Sequence, residues 1–151
     1  MDKKELFKNV EGKLFNYKNI YNEIKALELE IEDVKNEYRG CQSVIYTDKV
    51  CGSSTKSSSV ENEVLIKERK IGYLEYTKRK KEIESKKITN ALETLDEQEK
   101  EFFNYFYIPE RKPSFVSISQ KMYIDRSQCY RVREKVVGKF TKMIYPNYEI
   151  S

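Results

Sequence analysis

The chain has 151 residues and a formal net charge of +4, with 36% charged and 38% hydrophobic side chains. That length allows one or two small domains, and five Gly and three Pro leave little material for β-turns, so long solvated helices are favoured over a large core. Histidine is absent, and the only cysteines, Cys41, Cys51 and Cys129, exclude a four-ligand Cys/His zinc site within one chain and speak against a disulfide framework.

From Lys3 to Arg39 the apolar positions follow a helical period. Leu6, Val10, Tyr17, Ile20, Ile24, Leu27, Ile31, Val34 and Tyr38 recur at steps of three and four, with a gap at Lys13 and a second flank at Leu14 and Tyr21. Gly12 weakens this helix by up to about 1 kcal/mol relative to Ala. The Arg39-Gly40 pair predicts the helix end, where Gly takes a left-handed cap. A Ser-rich break over 41–59 follows, in which Val44, Ile45 and Tyr46 are expected to pack locally. Gly52 to Ser59 reads as a flexible connector; it lacks the Gly-Lys-Ser/Thr arrangement of a nucleotide loop.

A second helix is expected from near Ser59, with Val60, Val64, Ile71, Leu74, Ile88, Leu92 and Leu95 at heptad-compatible intervals. Lys78 and Lys81 interrupt that seam, and the alternating Glu75, Glu82 and Glu84 make the tract a solvated helix face rather than a nucleic-acid patch. The two long helices pair most simply as an antiparallel hairpin, residues 1–93. Their seams need partners, so a homo-oligomer, most simply a dimer, is expected.

Residues 94–151 read as a second domain. Asp96 with Glu99 forms a capping arrangement, and Phe102, Phe103, Phe106 and Tyr107 give an aromatic support helix that stops before Pro109. Next, Ile118, Ser119, Met122 and Ile124 mark a short helix and an apolar turn residue. Asp125, with Gln128 three residues on, predicts a cap that opens a longer basic helix. Its inner face is Cys129, Val132, Val136 and Phe140; its outer face carries Ser127, Arg131, Glu134 and Gly138, flanked by Gln128, Tyr130 and Lys135. A short helix, a turn and a basic helix make a helix-turn-helix, whose second helix enters the major groove of double-stranded DNA. The plainer alternative is a helical hairpin with a solvated basic face.

Charge favours DNA. Between Arg111 and Tyr145 there are nine Lys and Arg against only Asp125 and Glu134, whereas the whole chain nets +4. Positive charge concentrated on one segment marks a phosphate-binding module. Arg126, Gln128 and Arg131 suit base edges, while Lys121, Lys135, Lys139, Arg111 and Lys112 suit phosphates. Carboxylates are absorbed by caps and helix faces, so no acid–base pair, nucleophile or cofactor site stands out and no enzyme is expected. No apolar run reaches the length of a membrane span or signal core, and the cysteine usage fits a reducing interior, so a cytoplasmic protein away from the membrane is expected.

The segment LETLDEQEKEFFNYFYIPERKPSFVSISQKMYIDRSQCYRVREKVVGKF resembles the region-four helix-turn-helix of bacterial sigma factors. Ile118-Ser119, Met122, Ile124-Asp125, Arg126 and Cys129 to Val132 stand where that pattern places its conserved types. Ser119 replaces the usual Ala, and Cys129 the usual Ile or Val. The whole chain resembles phage transcriptional regulators of the ArpU and RinA type, which place a helical part and a Gly/Ser-containing break before such a domain. The resemblance implies DNA contacts by Arg126, Ser127, Tyr130 and Arg131, and a role as activator of a phage or prophage late operon in a bacterial host, with RNA polymerase as a candidate partner. A phage small terminase subunit, which also joins helix-turn-helix DNA binding to helical oligomerisation, is the alternative.

Overall fold

A computed structural model describes residues 1–47 and 55–148, and it is helical, with no strand among the described residues. Five helices follow in order: α1 (Lys3–Thr47), α2 (Thr55–Glu93), α3 (Glu97–Phe106), α4 (Phe115–Met122) and α5 (Arg126–Ile144). The all-α class read from the sequence holds, with long helices first and a helical C-terminal part.

Several boundaries differ. The first helix does not stop at Gly40 but runs on to Thr47. Glycine in a helix costs only about 1 kcal/mol, too little to end a hydrogen-bond ladder that continues on both sides. The second helix opens at Thr55, ahead of the expected Ser59, so part of the Ser-rich break is helical. The remainder of that break, and the local packing expected of Val44, Ile45 and Tyr46, lie outside the described residues.

The chain forms two compact units, Met1–Tyr21 with Ile83–Ser151, and Asn22–Glu82. A division at residues 93 and 94 does not match them. The reason is hydrophobic: Leu6, Val10 and Leu14 from α1, and Ile88 and Ala91 from α2, are buried in one core with Phe102, Phe103, Phe106, Ile118, Val132 and Phe140. The first unit therefore needs both ends of the sequence.

In the second unit α1 and α2 run antiparallel. Glu23 pairs with Lys81 at 2.8 Å, Glu28 with Lys78 at 3.2 Å, and Lys35 with Glu75 at 3.5 Å, so the partner number falls along α2 as it rises along α1. The lysines that break the α2 seam thus lie on carboxylates of α1. Beneath them Ile31, Val34 and Leu74 are buried, with Leu27 and Ile71 partly covered. Leu29, Leu65, Ile66, Tyr73 and Tyr76 remain exposed.

Candidate nucleic-acid interface

The expected basic helix is α5, and the elements that hold it are capped as the sequence dictates, with one difference. Asp96 caps α3, its Oδ1 accepting the Glu99 amide at 2.8 Å, and that hydrogen bond holds the Asp96 carboxyl below its ordinary range. Ser114 caps α4 by accepting the Ser117 amide at 3.2 Å. Asp125 occupies the N-cap of α5 with an extended backbone, but its side chain makes no capping hydrogen bond. Only its carbonyl serves, accepting the Cys129 amide at 3.0 Å.

Three residues link α4 to α5. Tyr123 ends α4 in the left-handed region, φ 56° and ψ 42°, where a side chain costs about 1–2 kcal/mol. It is 94% exposed, so no burial of its ring offsets that cost. The chain then turns through Ile124, whose amide donates to the Ser119 carbonyl at 3.1 Å.

The inner face of α5 is as expected: Cys129, Val132, Val136 and Phe140 are buried. Burial raises the Cys129 thiol pKa and keeps it a neutral core group. Rotation by about 100° per residue then turns Ser127, Arg131 and Lys135 outward, and these are exposed, as is Arg126 at the helix start. Gln128 is half-buried. Tyr130 is 47% exposed and its ring lies 4.4 Å from that of Phe115, which ties the first turns of α4 and α5 together.

The expected phosphate anchors separate into two groups. Lys135 and Arg111 are exposed, and Lys121 is exposed with its ammonium 5.6 Å from the Tyr105 ring centre. Lys112 is exposed, and its ammonium sits over the rings of Phe15 and Phe106, at 5.4 and 5.5 Å. Such cation–π contacts leave the charge available to an anion above it. Lys139 is different. Its ammonium is 2.8 Å from Glu99 Oε1 and 3.3 Å from the Thr94 carbonyl, and Glu99 is only 3% exposed. The other oxygen of Glu99, Oε2, is buried with no hydrogen-bond partner. A carboxylate in that position holds its one cation firmly, so Lys139 is a structural residue rather than a free anchor.

Sequence reading missed the group that fixes α5 in place. Arg133 donates from Nε and Nη2 to the two oxygens of Glu11, each at 2.7 Å, and Tyr107 Oη donates to Glu11 Oε1 at 2.9 Å. The guanidinium also lies 5.2 to 5.9 Å from the ring centres of Phe7, Phe106 and Phe115. Burial, then the Glu11 charge, drives the Tyr107 phenol pKa well above its ordinary value, and the bond to Glu11 raises that of Arg133. Once Arg133 and Lys139 are set against Glu11 and Glu99, seven of the nine basic residues of the C-terminal stretch remain, still against only two acids.

Among the described residues no group of three or more His, Cys, Asp or Glu is placed to hold a metal ion, and no helix is long and apolar enough to cross a membrane. Comparison of the chain with protein-family models, with curated proteins and with solved structures finds no match.

Proposed function

We propose that the chain is a sequence-specific regulator of transcription that binds double-stranded DNA through α4 and α5 as a helix-turn-helix. One observation carries this reading: the first three turns of α5 present Arg126, Ser127, Arg131 and Lys135 to solvent from a helix whose opposite face is locked into an aromatic core. Long polar side chains on a rigid, narrow helix fit the major groove, where Arg bonds guanine and Gln bonds adenine through two points. Lys121, Lys135, Lys112 and Arg111 set the register on phosphates.

Association belongs to the same proposal. Among its described residues the second unit buries few apolar side chains and leaves Leu29, Leu65, Ile66, Tyr73 and Tyr76 exposed, apolar groups suited to contact with a second copy. A dimer places two recognition helices on two half-sites. Activation of a phage or prophage late operon, with contact to RNA polymerase, is the biological role in which such a protein fits.

The test is selection of bound duplexes from a random pool by the full-length chain. Enrichment of a common motif with two-fold related halves supports the reading. Recovery of unrelated duplexes at every round contradicts it.

A further inference from the structure

Helix α5 does not face solvent alone on the side of Tyr130. The first turns of α1 lie along it, and the two helices enclose an open cleft of about 520 Å³. From α1 the cleft receives Lys3, Lys4 and Lys8; from α5 it receives Tyr130, one residue before Arg131. The three lysines are exposed, and none forms an ion pair among the described residues. Lys4 and Lys8 stand one turn apart and so share a side of the helix.

The charge balance of the cleft is positive. Its lining includes the acids Asp2, Glu11 and Glu134. Glu11 is already matched by Arg133, which leaves three lysines against two carboxylates. The cleft brings Tyr130, the sequence neighbour of Arg131, together with the long, solvated ammonium groups of Lys3, Lys4 and Lys8. Such groups suit phosphates, which are contacted without regard to sequence. The fixed position of α1 matters here. The pairing of Glu11 with Arg133, and of Tyr145 Oη with Asn9 Oδ1 at 2.7 Å, holds these first turns against α5.

We infer that the first turns of α1 are a second DNA-contacting element, in which Lys3, Lys4 and Lys8 hold the phosphate backbone next to the groove that α5 enters. The inference rests on the DNA-binding reading above and adds to it a surface from the opposite end of the sequence.

The experiment measures binding of the full chain to its selected duplex and to a random duplex of equal length over a series of salt concentrations. The Lys3→Ala, Lys4→Ala, Lys8→Ala triple variant is compared with a charge-matched control, Lys70→Ala, Lys80→Ala, Lys86→Ala. The triple variant is expected to lower the slope of log K against log salt by about 0.9 per lysine, about 2.7 in all, on both duplexes. Its ratio of specific to random binding stays that of the wild type. A slope equal to the wild type, or a fall no larger than that of the control, overturns the inference while leaving α5 as the reader. If the unmodified chain binds no duplex, the DNA-binding reading fails first, without recourse to any variant, and this inference falls with it.

Discussion

Arg133 and Glu11 meet in a two-point ion pair, with both contacts at 2.7 Å, although 122 residues separate them in sequence. The pair joins the candidate recognition helix to the first helix of the chain. Glu11 is 7% exposed, so it also shows which parts of the sequence fold together.

Removing Glu11 leaves the partly buried Arg133 guanidinium and the buried Tyr107 hydroxyl without their shared acceptor. Glu11→Ala is expected to lower stability by about 3 kcal/mol, more than exposed ion pairs contribute. Urea unfolding followed by circular dichroism checks this. The same reasoning predicts that a fragment of residues 94–151 does not fold, because the core then lacks Leu6, Val10, Leu14, Ile88 and Ala91. A cooperative unfolding transition from that fragment would contradict the shared core.

Tyr107 gives the first unit a signature in alkali. Its folded-state pKa is raised above the ordinary 10.0, so the folded protein holds the phenol proton more tightly than the unfolded chain does. The associated stability is complete below pH 10 and is lost as pH rises beyond it. Stability measured from pH 8 to pH 11 should fall more steeply for the wild type than for Tyr107→Phe. Parallel profiles would mean that the phenol is not held as described.

Lys139 separates a structural role from a DNA role. Lys139→Ala leaves the Glu99 carboxylate buried without its cation, so thermal stability falls, and Glu99→Gln in the same chain restores part of it. A lysine serving mainly as a phosphate anchor would instead leave stability unchanged and lower the salt slope of DNA binding by about one unit.

Gly12 is a simple test of the helix itself. It lies inside α1 and is exposed, and a Cβ added there meets nothing within 4 Å. Gly12→Ala should therefore raise stability by about 0.8–1 kcal/mol in the same unfolding assay. A loss would point to an unseen contact on that face.

Local pattern made much of this legible. The buried row Cys129, Val132, Val136 and Phe140 follows from a period of 3.6, and the α3 cap follows from Asp96 and Glu99 standing three apart. Nearest-neighbour spacing cannot say which distant carboxylate a cation meets. Hence the sequence presents Arg133 and Lys139 as free positive charge, whereas Glu11 and Glu99, both outside the basic stretch, hold them. The cap at Asp125 shows a subtler limit. The residue type and position were readable, whereas the side chain's direction depends on packing around the turn. Gly40 misled for a different reason: glycine permits a helix end without requiring one.

Sequence reading by the outer face of α5 turns on Arg131. The measurement is the affinity of the wild type and of Arg131→Ala for the selected duplex and for random DNA at one salt concentration. The expected loss is about 1–3 kcal/mol on the selected duplex and much smaller on random DNA. Equal losses on both duplexes would remove Arg131 from the base-reading set and contradict the assignment of this face.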